Sequence, residues 1–121
     1  MPVLSKQVGE EVQMPCALEK AVNSGADWLY QKHLSTAAHH IISGGHLLNG
    51  DRNGRLRIDG STLCINNVNA DDAGIYICVE QTGLGTDHRI NLTVLGQFSV
   101  RIFLTLLAKH KQLFTYIQIL L

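Results

Sequence analysis

The stretch AGIYICVE, residues 73–80, carries the strongest indication of fold class in this chain. Tyr76 and Cys78 alternate with the residues beside them, and a period of two is typical of a strand with one buried face. Similar runs recur between clusters of Gly, Asn, Asp and Ser, which form turns. These runs are VQMPC (12–16), DWLYQK (27–32), GRLRIDG (54–60), STLCINNV (61–68) and HRINLTVL (88–95). Short strands at this spacing, with no long helical pattern before residue 98, predict an all-β sandwich or barrel.

Two cysteines on separate predicted strands have the same inward parity, Cys16 and Cys78. Trp28 follows Cys16 by twelve residues, and Tyr76 precedes Cys78 by two. This arrangement resembles an immunoglobulin variable-type (V-set) domain, in which a disulfide joins two sheets, a Trp packs against it and a Tyr forms a corner. The resemblance implies a β-sandwich of two antiparallel sheets with an inter-sheet Cys16–Cys78 disulfide. It also implies that Trp28 and Tyr76 are core residues.

Further residues carry the same resemblance. The run Trp-Leu-Tyr-Gln-Lys from Trp28 is similar to the Trp-Tyr-Gln-Gln-Lys strand of antibody light chains. Arg55 and Asp72 are similar to the Arg and Asp that form a salt bridge between loops in this family. The interval between Trp28 and Arg55 has room for two additional strands, as in variable-type rather than constant-type domains. The resemblance covers residues 7–95 and is strongest to single V domains of fish innate immune-type receptors.

The length of 121 residues is sufficient for one domain. We assign residues 1–95 to the V-type domain and residues 96–121 to an apolar and basic C-terminal tail. Ten Lys and Arg balance ten Asp and Glu, so the net charge gives no indication of a nucleic-acid partner. The leading interpretation of the tail is a divergent or truncated terminus that does not belong to the V domain. The alternative is an amphipathic helix in contact with a membrane or a protein, because Arg101, Lys109 and Lys111 accompany apolar positions that fit one helical face.

The predicted outward face of the strand that carries Cys78 is the candidate partner-binding surface. Because Cys78 faces inward, we expect Ile75, Ile77 and Val79 to form an exposed apolar stripe. In the family this face binds a protein ligand or pairs with a second V domain, so a homodimer is one predicted state. The predicted binding residues are Leu29, Gln31, Ile77, Val79 and the hairpin residues Gln81, Thr82, Gly83, Leu84 and Gly85. The alternative is that the loop of residues 33–46 folds over the stripe.

Cys64 is the cysteine left over from the implied disulfide. It lies between Leu63 and Ile65, which face inward, so we expect the thiol of Cys64 to point outward. Two states remain open for this residue, a free thiol and an interchain disulfide.

Two observations bear on the compartment of the protein. The first fifteen residues contain no apolar run typical of a secretory signal, so we expect an extracellular chain to be incomplete or processed. Asn91-Leu92-Thr93 is the only N-glycosylation sequon, and Asn91 is predicted to face outward. A glycan there would lie on the same sheet as the apolar stripe and would compete with pairing. We predict an extracellular or cell-surface location.

The sequence contains no motif for catalysis or cofactor binding. A nucleophile elbow, a P-loop and a dinucleotide fingerprint are all absent. His39 and His40 point to opposite faces of a strand, so neither a metal site nor a cofactor is predicted. We predict a noncatalytic recognition module, the ligand-binding V domain of an innate immune-type cell-surface receptor. The alternative is a homophilic cell-adhesion immunoglobulin domain that uses the same face.

Overall fold

The computed structural model describes residues 1–18, 26–48, 52, 54–80 and 87–96. Each alternating run of the sequence contains a strand, because side chains at every second position can then be buried together. The strands are β1 Val3–Gln7, β2 Val12–Met14, β3 Ala26–Gln31, β4 His39–Ser43, β5 His46–Leu47, β6 Leu56–Asp59, β7 Thr62–Ile65, β8 Gly74–Glu80 and β9 His88–Leu95. A short 3₁₀ turn, Ala70–Asp72, precedes β8.

The strands form two sheets, and their order is that of a variable-type immunoglobulin sandwich. The large sheet has the order β1-β9-β8-β3-β4-β5, and the small sheet has the order β2-β7-β6. β4 and β5 lie in the interval between Trp28 and Arg55, where two additional strands were expected. The predicted β-sandwich is therefore confirmed. Among the strands in the described ranges, β1 pairs in parallel with β9 and the other pairings are antiparallel. After β1 the chain turns at Gly9, with φ +94°, and enters the small sheet as β2.

The core lies between the two sheets and contains the implied disulfide. The sulfur atoms of Cys16 and Cys78 are 2.14 Å apart, and 62 residues separate the two cysteines. Trp28 is fully buried beside Cys78 on the neighbouring strand, and its indole N–H donates to the carbonyl oxygen of Ser61 at 3.2 Å. Tyr76 is also fully buried. These contacts bring together the residues that the sequence marks as core.

The predicted tail lies almost wholly outside the described residues, which end at Gly96. Among the helices of the described ranges, none is long and apolar enough to span a membrane. The division of the chain at residue 95 and the membrane contact of the tail stay predictions.

Candidate recognition surface

A charged cluster fixes the end of the sandwich where β8 begins. Asp72 is 1% exposed, and the guanidinium of Arg55 donates to both of its carboxylate oxygens at 2.6 and 3.0 Å. The backbone N–H of Asn69 donates to the same carboxylate at 2.8 Å and completes a capping box at the 3₁₀ turn. The hydroxyl of Tyr76 donates to the backbone carbonyl of Asp72 at 2.5 Å. The Arg55–Asp72 salt bridge therefore forms part of the tyrosine corner.

Arg52 is a second cation on this carboxylate, and it was not predicted from the sequence. Its Nη1 donates to Oδ1 of Asp72 at 3.0 Å. Its guanidinium carbon lies 4.7 Å from the ring centroid of Tyr30 and 5.4 Å from that of Tyr76, in the range of cation–π contacts. Only Arg55 matches the family pattern. In the sequence, Arg52 is marked only by its position three residues before Arg55. The cluster therefore joins two cations to one buried carboxylate.

The environment of the cluster changes the pKa of its titratable groups. Burial, the largest influence, acts to raise the pKa of Asp72, but hydrogen bonds from Arg55 and Asn69 and the charges of both arginines outweigh it. The pKa of Asp72 therefore lies below its ordinary value of 3.8. Burial also raises the pKa of the Tyr76 hydroxyl well above its ordinary value, despite the opposing charge of Arg52. At neutral pH the carboxylate is charged and the phenol is neutral.

The predicted apolar stripe lies on the outward side of the large sheet, but its centre is covered. Ile75 and Ile77 lie outside the core cluster, yet each is only 4% exposed. Ile77 is flanked by Leu29 on β3 and by Arg89 on β9. The expectation that both isoleucines are exposed was wrong, because β8 is an interior strand whose outward side chains have neighbours on both sides.

Leu29, Gln31 and Val79 form the more accessible part of this face, and each is partly buried. The side-chain nitrogen of Gln31 donates to the carbonyl oxygens of Thr36 at 2.7 Å and Leu34 at 3.4 Å. The loop of residues 33–46, which was the alternative cover for the stripe, therefore contacts the candidate face at Gln31. The side-chain oxygen of Gln31 is buried and has no hydrogen-bond partner within the described ranges. Gln31 therefore retains an unused acceptor on the candidate face.

The predicted hairpin contacts, Gln81 to Gly85, lie outside the described residues. The strand that leads into the hairpin ends at Glu80, which is 3% exposed and shares the inward parity of Cys78. In the described part of the chain, Oε1 of Glu80 accepts no hydrogen bond. The burial of Glu80 was not predicted from the sequence, because an acid at the end of an alternating run usually faces solvent.

Cys64 forms no disulfide within the described residues and is buried, although it lies outside the core cluster as its outward parity predicts. It lies on β7 between Gln13 of β2 and Arg57 of β6, outside the core cluster. Arg57 forms a 2.8 Å ion pair with Glu11, the residue before β2, and this pair joins the strands on either side of β7. An interchain disulfide would require this cover to open, so the burial argues against it.

We predict slow labelling of Cys64 in the native chain. Burial raises the pKa of this thiol, so both access and thiolate concentration are reduced at neutral pH. A maleimide should therefore react at least about tenfold more slowly with the native chain than with the urea-unfolded chain. Mass spectrometry measures the rate, and Cys64→Ser is the control for labelling at this site. Equal rates in the native and unfolded chains would disprove the burial of Cys64.

Metal-ligand side chains do not converge in the described residues. Within those ranges, no group of three or more His, Cys, Asp or Glu side chains is arranged to hold a metal ion. His39 and His40 lie side by side on β4, and the ring of His39 packs edge-on against Tyr30 at 5.8 Å.

Comparison with known proteins gives relatives of one architectural class. No family model matches the chain. A 50-residue segment, 40% of the chain, is 46% identical to the neural cell adhesion molecule L1-like protein of Mus musculus, and this match spans 4% of that protein. The first immunoglobulin domain of the mouse polymeric immunoglobulin receptor has a TM-score of 0.63 at 24% identity, over 78% of this chain and 91% of that one. The extracellular fragment of novel immune-type receptor 11 from Ictalurus punctatus has a TM-score of 0.62 at 21% identity, over 80% and 86% of the two chains.

The strand order, the inter-sheet disulfide and the tyrosine corner define an immunoglobulin-like sandwich. The chain has the fold of a V-type immunoglobulin domain, and the resemblance seen in the sequence is confirmed at the level of the fold. Disulfides of this kind persist in oxidising compartments. Together with the adhesion-molecule match, the disulfide supports an extracellular recognition domain.

Proposed function

We propose that this domain is the noncatalytic ligand-binding module of an innate immune-type cell-surface receptor. The binding surface is the outward face of β3 and β8, which holds Leu29, Gln31, Ile77 and Val79. In this proposal the partner is a protein, and the hairpin after Glu80 adds contacts at one end of the face.

The observation that carries the proposal is the apolar character of β8 on both of its sides. In a strand with one side in water, apolar inward residues usually alternate with polar outward ones. The outward residues of β8 are instead Ile75, Ile77 and Val79. Leu29 and Ile77 pair with each other across β3 and β8. Beyond them in the same row across the sheet lie the exposed residues His40 on β4 and Arg89 on β9. An apolar centre with a polar rim is typical of protein interfaces.

Homophilic adhesion is the second candidate, and the match to the L1-like adhesion molecule favours it. In this case the partner is the same face of a second copy. A twofold pairing would place each Leu29 against an equivalent apolar surface. Self-association of the full chain distinguishes this candidate from a receptor that binds a different protein.

Leu29→Asp and Val79→Asp are expected to abolish partner binding. A carboxylate introduced at the apolar centre would be desolvated without a partner, which should weaken binding at least tenfold, or about 1.4 kcal/mol. The measurement is staining of immune-cell panels by tetramers of the full chain, with sedimentation of the same chain over a concentration series. Circular dichroism of each variant verifies the fold.

Leu47→Asp is the matched control, since Leu47 is 40% exposed on β5, at the far edge of the same sheet. Loss of staining in Leu29→Asp but not in Leu47→Asp supports the receptor function. Concentration-dependent dimers that are lost in the same variant favour adhesion. If the folded Leu29→Asp and Val79→Asp chains bind and associate like the parent chain, the proposed face is wrong.

A further inference from the structure

The sequon Asn91-Leu92-Thr93 lies on β9, and its first and third residues are on the outward side of the strand. Ile90 and Leu92 point into the core and are buried, so the side chains of Asn91 and Thr93 point away from it. Thr93 is exposed, and its hydroxyl lies 2.8 Å from the hydroxyl of Ser5 on β1. Asn91 is therefore on the solvent side of the sheet, as an N-linked glycan requires.

The outward surface around Asn91 lacks charge beyond Arg89, and Lys6, the charged residue of β1, has the opposite parity and pairs with Glu10. In the described part of the chain, β1 is the edge strand, and its residue Val3, opposite Asn91, is 65% exposed. Soluble proteins usually protect such edges with charged residues. The outward side chains of β1 and of β9 beyond Arg89 are instead Val3, Ser5, Gln7, Asn91, Thr93 and Leu95.

We propose that Asn91 carries an N-linked glycan that covers this uncharged β1–β9 surface. Asn91 lies on β9, between the edge strand and β8, and pairs with Val3 on β1 and with Ile75 on β8. An oligosaccharide on Asn91 extends over Val3 and Ser5 and hydrates the open edge of β1. Association edge to edge through β1 is thereby blocked, and binding is confined to the β3 side of the large sheet.

The parent full-length chain and three variants, secreted from mammalian cells behind an added signal peptide, test the modification. The parent chain and Thr93→Ser, which keeps the sequon, should each lose the mass of one glycan on treatment with peptide N-glycosidase. Asn91→Gln and Thr93→Ala should have no glycan to lose. Absence of a glycan on the folded parent chain would overturn the proposal, whatever the result of the partner-binding experiment.

The covering role is tested by the oligomeric state. Asn91→Gln should associate at concentrations where the glycosylated chain stays monomeric. A second change, Val3→Lys, places a charge on the same surface and should restore the monomer to Asn91→Gln. A monomeric Asn91→Gln chain over the whole series would show that the glycan has no covering role.

Discussion

Asp72→Asn is expected to destabilise the domain by about 3 kcal/mol, the size expected when one partner of a buried ion pair is removed. Asn has the shape of Asp, but it leaves Arg52 and Arg55 without their counter-charge. The two guanidinium groups each donate to Oδ1 of Asp72 at 3.0 Å, so they would then face each other as unpaired like charges. Urea unfolding, followed by the fluorescence of the single Trp28, measures this loss.

The same substitution should change the response of stability to acid. The folded-state pKa of Asp72 is below its ordinary value of 3.8. The stabilisation from this ion cluster is therefore complete above about pH 4 and decreases as the pH falls through the depressed pKa. The parent chain should lose stability over this acidic range, whereas Asp72→Asn should show a smaller change because it lacks the titrating group.

Asp59→Asn provides the control for both measurements. Asp59 is exposed at the end of β6, and a surface substitution of this type should change the unfolding free energy by less than about 0.5 kcal/mol. If Asp72→Asn unfolds at the same urea concentration as Asp59→Asn, the buried cluster does not stabilise the fold.

Apart from β4, the sequence predicts well which side chains point into the core, because inward residues recur at every second position of the strands. The positions of Cys16, Trp28, Tyr76 and Cys78 follow from this alternation and from the family resemblance. β4 was expected only as space for additional strands. Its register shifts beside Trp28, and Ile41 and Ile42 are both buried, so the alternation that would reveal a strand is absent.

The outward half of the fold is less predictable, since parity gives the direction of a side chain but not its cover. Ile77 and Cys64 point away from the core, as parity predicts, yet both are buried. Their cover comes from neighbouring strands and from side chains such as Arg57, which reaches Glu11 across β7. Such contacts depend on tertiary pairing, and the local sequence carries no signal for them. The residues of the candidate face lie on the outward sides of β3 and β8, as parity predicts, but Ile75 and Ile77 are less exposed than expected.

Reduction of the Cys16–Cys78 disulfide is expected to cost about 4 kcal/mol of stability. The bond closes a loop of 62 residues between the two sheets, and the entropy of that loop is recovered by the unfolded chain when the bond is broken. For a domain of this size, such a loss is a large share of the total free energy of unfolding. The urea midpoint should therefore fall sharply when a reductant is present.

The double substitution Cys16→Ala with Cys78→Ala separates the bond from the reductant. This variant should unfold at a low urea concentration with and without reductant, since both truncations also remove buried atoms beside Trp28. Cys64→Ser retains the disulfide, so it should keep the large response to reductant that the parent chain shows. If reduction leaves the midpoint of Cys64→Ser unchanged while mass spectrometry shows both core thiols free, packing around Trp28 rather than the bond holds the sheets together.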